Sequence, residues 1–315
     1  MNKKAIIFGV KGKTLSTDEK KLFKKNKPWG IILFSRNIET VHQVMKLTNE
    51  IKKLFNDKKY PILIDQEGGV VSRLNKIMDL SMFSQNFFTK LYIKNYKNFS
   101  NYYQIYINSV SGILKLLGIN INTVPVLDIY RPRAHKIIGT RSFSNEARYV
   151  CKLGNLCIKL YKKNKIAAVV KHIPGHGASK YDSHFKTPII KIKKNKLIKK
   201  DFLPFKKCKS LFAMTAHAIY EAFDKDNTAT HSKTIIEKII RKRIQFRGIL
   251  ISDDISMKSL KYSLEKNALK AISAGCNLVL HCNGNIREMK KLSEIIPNID
   301  KFTQKKTSQF KRFLG

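Results

Sequence analysis

Short, largely apolar runs recur along the whole chain: AIIFGV (5–10), GIILF (30–34), PILI (61–64), INTVPVL (121–127), IAAVV (166–170), LFAM (211–214), GILI (248–251) and NLVL (277–280). Each has the length of a strand, and few show the alternation of a strand with one wet face. Strands apolar throughout are buried on both sides, as parallel strands covered by helices are. Between many of them the apolar spacing turns helical. One segment carries Tyr103, Tyr106, Val110, Ile113 and Leu117, another Val150, Leu153, Leu156 and Leu160, and a third Leu264, Ala268 and Ala271 ahead of a stop at Gly275. Eight strands alternating with helices predict an α/β fold, a single (β/α)8 barrel. An open doubly wound sheet would carry a glycine-rich phosphate loop after its first strand, and GVKGKTL (9–15) lacks the G-x-G-x-x-G spacing. The barrel domain is expected over 1–300, with the basic end KFTQKKTSQFKRFLG (301–315) as a last helix or tail.

Composition changes this picture little. The net charge of +40 invites a nucleic-acid reading. Yet the lysines are not gathered on one element; they accompany Ile and Asn almost everywhere, as in KKLFKKNK (20–27) and KKNKLIKK (193–200). That is a compositional bias, so no nucleic-acid partner is expected, although the charge favours anionic ligands at long range. The five cysteines are odd in number and form no C-x-x-C pair, which suggests neither a disulfide framework nor a thiolate zinc site and fits a reducing cytoplasm. No run approaches the length of a membrane span. The start, MNKKAIIFGVKGK, reads as a first strand rather than a signal peptide. A cytoplasmic monomer is expected.

The chemistry of an α/β barrel lies where strands end and βα loops begin. Here the apolar runs end in Asp65, in Asp128, in Lys171 and His172, in Thr215 and His217, in Asp253 and Asp254, and in His281. On one rim they would form a pocket. The segment KHIPGHGASKYDSH (171–184) is then the fifth βα loop, with turn residues in PGHG and with Asp182 two positions before His184. An Asp that accepts from a His fixes its tautomer and raises its basicity, which suits general acid–base work near neutral pH. Two glycines and little apolar surface predict that 174–184 packs loosely. Metal binding competes, because His172, His176, Asp182, His184 and Asp253 could be assembled into a zinc site. Barrel metallohydrolases usually place an H-x-H pair at the end of the first strand, and AIIFGVKGK has no histidine. No metal or cofactor is expected.

The motifs GIILFSRN (30–37), IDQEGGVVSRL (64–74), VPVLDI (124–129), IGTRSF (138–143), KHIPGHG with DSH (171–184), MTAH (214–217) and ISDDISM (251–257) occur together and in this order. In them the chain resembles the single-domain β-N-acetylglucosaminidases of glycoside hydrolase family 3, associated with cell-wall recycling. The resemblance implies a retaining enzyme that removes terminal GlcNAc from a small saccharide or muropeptide. It makes Asp253 the nucleophile and His184, held by Asp182, the acid/base. It makes Asp65 an acceptor of sugar hydroxyls and Arg73, Arg141, Lys171 and His172 donors to the hydroxyls and the 2-acetamido group. Asp254 is given a supporting hydrogen bond, Glu67 the ordering of its own loop, and His176 a part in loop shape. The segment YRPRAHK (130–136) is more basic than the family pattern. Two alternatives stand beside this reading: a phosphorylase on the same site, and a basic nucleic-acid-binding protein with an inactive barrel.

Overall fold

A computed structural model describes residues 3–132, 137–179, 181 and 186–315. Its strands are β1 (Lys4–Gly9), β2 (Pro28–Leu33), β3 (Ile62–Ile64), β4 (Ile121–Asn122), β5 (Ala167–Ile173), β6 (Ile189–Ile190), β7 (Phe212–Thr215), β8 (Ile219–Tyr220), β9 (Ile249–Asp254) and β10 (Leu278–His281). Eight of them close a parallel barrel in the order β1-β10-β9-β7-β5-β4-β3-β2, while β6 and β8 form a small parallel sheet of their own. All eight expected strands are therefore present, and the fold is a (β/α)8 barrel. The helices are α1 (Thr17–Asn26), α2 (Val41–Leu54), α3 (Gln85–Lys94), α4 (Tyr96–Leu116), α5 (Ala147–Lys163), α6 (Lys194–Lys196), α7 (Leu203–Lys206), α8 (Leu264–Ala274), α9 (Ile286–Ile295) and α10 (Lys301–Phe313), with π-helical turns at Leu197–Asp201 and Ile235–Arg243.

The strand residues are apolar on both faces because the helical layer covers one face and the barrel interior the other; all six residues of β2 are buried. The fourth strand is shorter than its apolar run. Side chains explain the difference. Asn120 and Asn122 extend the ladder toward β3 with their amides, accepting from Ile62 N at 2.9 Å and from Gln66 N at 3.0 Å. Beyond them Pro125 offers no N–H. The N–H and C=O of Val126 are both taken by the Gln85 amide, at 3.0 and 2.9 Å.

On α4, Phe99, Tyr103, Ile107, Val110 and Leu114 face inward at helical spacing. Its Gly112 is exposed in mid-helix, which costs about 1 kcal/mol relative to Ala. At the N-terminal ends of the strands, α10 lies against the barrel: the Trp29 indole donates to Thr307 Oγ1 at 2.8 Å, and Phe310 packs on Trp29 and Phe212.

Candidate active site

The polar strand ends converge on a cavity of about 350 Å³ at the C-terminal rim of the barrel. A hollow of about 510 Å³ at the opposite end is larger, but it is lined by lysines and apolar groups with no carboxylate, so acid, base and nucleophile chemistry belongs to the smaller one.

The loop after β3 supplies three charged groups. Gly68, at φ +85°, lets the chain double back where an added Cβ would lie 2.4 Å from the Phe83 carbonyl. The Gln66 side chain ties the returning strand by accepting from Arg73 N at 2.8 Å and Leu74 N at 3.0 Å. Asp65, Glu67 and Arg73 thereby reach the same space.

Lys171 stands at the centre of the cations. Its ammonium lies 2.9 Å from Asp65, 2.6 Å from Glu67 and 2.9 Å from Thr123 Oγ1. Arg141 grips Glu67 with two bonds, Nε at 2.8 Å and Nη2 at 2.9 Å, and Arg73 reaches Asp65 at 3.5 Å. Burial alone would raise both acids; Lys171 and Arg73 hold Asp65 well below the usual carboxylate range, and Arg141 with Lys171 brings Glu67 down to about 2. Lys171 is likewise opposed by burial, yet Asp65 and Glu67 raise it, so it stays charged. Glu67 therefore does more than order its own loop: it joins two of the expected sugar-binding cations.

Asp128, expected on the rim with the other strand ends but given no role there, is fully buried behind His172. It accepts from His172 Nδ1 at 2.6 Å, from the His172 amide at 3.2 Å and from the His176 amide at 2.5 Å. The Nδ1 bond fixes the imidazole tautomer and leaves Nε2 for the cavity. His176 packs edge-on to His172, and burial lowers it to about 4, so it is neutral at pH 7. The apolar run ending VPVLD carried the signal for Asp128; its partner could not be read from the sequence.

Asp253 and Asp254 part company at the end of β9. Asp253 lines the cavity and accepts the Asp254 amide at 2.8 Å. Burial raises its pKa, but His217, His172, that N–H and Lys171 outweigh burial and keep it ionised. Asp254 instead holds backbone, accepting from Ser256 N at 3.1 Å and Cys282 N at 3.2 Å. His217 is packed: its Nε2 donates to the Asp254 carbonyl at 2.9 Å, and its Nδ1 meets Thr230 Oγ1 at 2.7 Å. His281 turns to Glu288 at 2.8 Å, away from the cavity lining.

Asp182 and His184 lie outside the described residues. The preceding half of their loop corrects an expectation. From 174 to 179 the chain is buried except at Ala178, so it packs well. Gly177 sits where an added Cβ would be 2.0 Å from the Ile129 carbonyl, and Tyr220 donates to the Gly175 carbonyl at 2.8 Å. Within the basic segment, Arg131 forms a two-bond pair with buried Asp201, at 2.9 and 2.7 Å, and does not line the cavity. Among the described residues, no group of three or more His, Cys, Asp or Glu side chains is placed to hold a metal ion.

Residues 4–313 match the family described as glycosyl hydrolase family 3, N-terminal domain. The chain belongs to this family. Within it, the chain is 30% identical to a β-hexosaminidase of Haemophilus influenzae, over 98% of its own length and 89% of that protein. Among solved glycosyl hydrolase family 3 structures it resembles NagZ from Neisseria gonorrhoeae in complex with N-trifluoroacetyl-D-glucosamine (TM-score 0.86, 26% identity, 99% of this chain and 90% of that one). The same Neisseria protein has been solved with a zinc ion. The chain is similar as well to a β-N-acetylglucosaminidase from Paenibacillus (TM-score 0.86, 26% identity), covering 98% of this chain and 60% of that one.

Proposed function

We propose that this protein is a retaining exo-β-N-acetylglucosaminidase that removes terminal GlcNAc from small saccharides or muropeptides derived from peptidoglycan. One observation carries the reading. Among the described residues lining the cavity, Asp253 is the one carboxylate without a direct ion pair, while Asp65 and Glu67 are each bound to cations. An ionised acid left free of a cation in a pocket at the barrel mouth is suited to attack an anomeric carbon and form a glycosyl ester. As the C–O bond to the leaving group breaks, a proton must reach its oxygen; His184, held by Asp182, supplies it and later takes one from the water that frees Asp253. Asp65, Arg73, Arg141, Lys171 and His172 bind the sugar, and the Asp128–His172 bond keeps that imidazole aimed.

Charge balance bears on the acceptor. Three cations, Arg73, Arg141 and Lys171, face three carboxylates, Asp65, Glu67 and Asp253, around the cavity. Among the described lining residues the charges balance, with no excess of cations to draw in phosphate, which favours water. The five free cysteines agree with a reducing compartment, and no described helix is long and apolar enough to cross a membrane. The test is turnover of an aryl β-N-acetylglucosaminide with and without phosphate. Free GlcNAc in both is expected. Sugar phosphate as product would make the enzyme a phosphorylase, and no turnover by freshly folded protein would refute the activity.

A further inference from the structure

Helix α4 presents an outer face unlike that of its neighbours. From residue 98 through 114 there is no Lys, Arg, Asp or Glu, in a chain that is 27% charged. On α2, α5, α9 and α10 exposed lysines occupy the corresponding outer positions. The exposed stripe of α4 runs through Asn101, Tyr102, Ile105, Asn108, Ser109 and Gly112, spaced so as to share one side of the helix. Tyr102 is 55% exposed and Ile105 59%.

Gly112 is a second, independent sign. It lies in mid-helix, and an added Cβ would meet no atom within 4 Å. Nothing inside the protein asks for glycine there, and glycine weakens a helix unless another backbone or side chain must come close. We infer that the outer face of α4 is a self-association surface, on which a second copy of this chain docks by an antiparallel crossing of the two α4 helices.

Charge selects that occupant. Two copies each carrying +40 repel wherever lysines face each other, and the outer face of α4 between 98 and 114 carries no charge. An acidic partner would be drawn to the lysine-bearing helices instead. A lipid surface would call for large apolar groups along the whole stripe, whereas here Tyr102, Ile105 and Leu116 are separated by amide, hydroxyl and glycine positions. A two-fold axis between Asn108 and Ser109 makes the stripe complementary to itself: Ile105 of each copy enters the space beside Gly112 of the other. The same axis sets Lys115 against Tyr102 of the second copy, so the flanking cation meets a ring rather than a cation. One helix pair is a small interface, so the dimer is weak, with Kd on the order of 10 µM. This departs from the monomer expected from the sequence.

Sedimentation velocity of the full chain, up to about 200 µM and at about 50 and 500 mM NaCl, tests the proposal. Dimerisation that tightens with salt is expected, because screening removes the repulsion. Ile105→Lys should leave a monomer with unchanged turnover, since this side chain faces away from the cavity. Gly112→Ala should melt higher yet dimerise more weakly, by about tenfold. A monomer under all conditions, a dimer that weakens with salt, or Gly112→Ala that melts higher with association unchanged would each overturn the crossing. So would α4-dependent binding to anionic phosphatidylglycerol vesicles, lost in Ile105→Glu.

Discussion

Replacing Glu67 by Gln removes one charge from the buried group that organises the cavity, and the structure sets the size of the effect. The carboxylate titrates near 2 in the folded protein against 4.5 when free. A shift of that size corresponds to about 3 kcal/mol of stabilisation. Because the folded pKa is depressed, the contribution is complete above pH 4.5 and disappears as the pH falls through about 2. Gln keeps the shape but presents one oxygen and one NH2 group to three donors: Arg141 Nε, Arg141 Nη2 and Lys171 Nζ. At least one charge-assisted bond becomes a donor–donor contact. At pH 7 the variant should melt about 5 °C below the parent for a chain of this length. The gap should shrink as the pH is lowered from 4.5 toward 2. Lys171 keeps Asp65 and Thr123 as partners, so the cavity loses alignment rather than its cation. A KM rise with a fall in kcat/KM of up to about 10²-fold is expected. A variant that melts within about 1 °C of the parent at pH 7, or a gap that stays constant down to pH 3, would show that Glu67 is not the buried, ionised link between Lys171 and Arg141.

Asp253→Ala should abolish turnover, and a 2-deoxy-2-fluoro glycoside should label Asp253; peptide mapping that finds the label on Asp254 would reverse the two roles. His184→Ala should slow substrates with poor leaving groups by about 10²–10⁴-fold while activated aryl glycosides lose far less; equal losses would make His184 structural. EDTA should leave activity intact, and loss of activity restored by added zinc would turn Asp253 from nucleophile into ligand. Gly177→Ala should lower the melting temperature by about 2–5 °C, because its Cβ has no room beside Ile129; unchanged melting would mean that the 174–179 turn yields easily.

The barrel could be read from the sequence because its strands are buried on both sides, so each announces itself as an apolar run regardless of neighbours. The fourth strand shows where this stops. Its run continues to Leu127, but whether a backbone N–H joins a ladder depends on what lies opposite, and the partner of Val126 is Gln85, forty-one positions earlier. Likewise the glycines of PGHG suggested a loose turn, although glycine serves equally where chains approach closely. At Gly177 the contact with Ile129 decides between the two, and that contact is tertiary.

The same limit governs the charges. A polar residue ending an apolar run predicts a place on the rim, and Asp65, Lys171, His172 and Asp253 all reach it. What it does there depends on which opposite charge shares its space, and ion pairs such as Glu67 with Arg141 or Arg131 with Asp201 span about seventy positions. Arg141 and Arg131 look alike in sequence, two basic residues in the segment after Asp128. One faces the cavity through Glu67, and the other is spent on a buried aspartate behind it. The division between them follows from placement: Arg131 and its partner Asp201 do not line the cavity, whereas Arg141 and the Glu67 it holds both do. By that criterion Arg141 and Lys171 border the cavity and Arg131 stands outside its lining. Arg131→Ala should then disturb stability, by exposing Asp201 as an unpaired buried charge, and leave KM for aryl substrates nearly unchanged. A KM rise comparable to that of Glu67→Gln, with melting unaffected, would place Arg131 at the sugar after all.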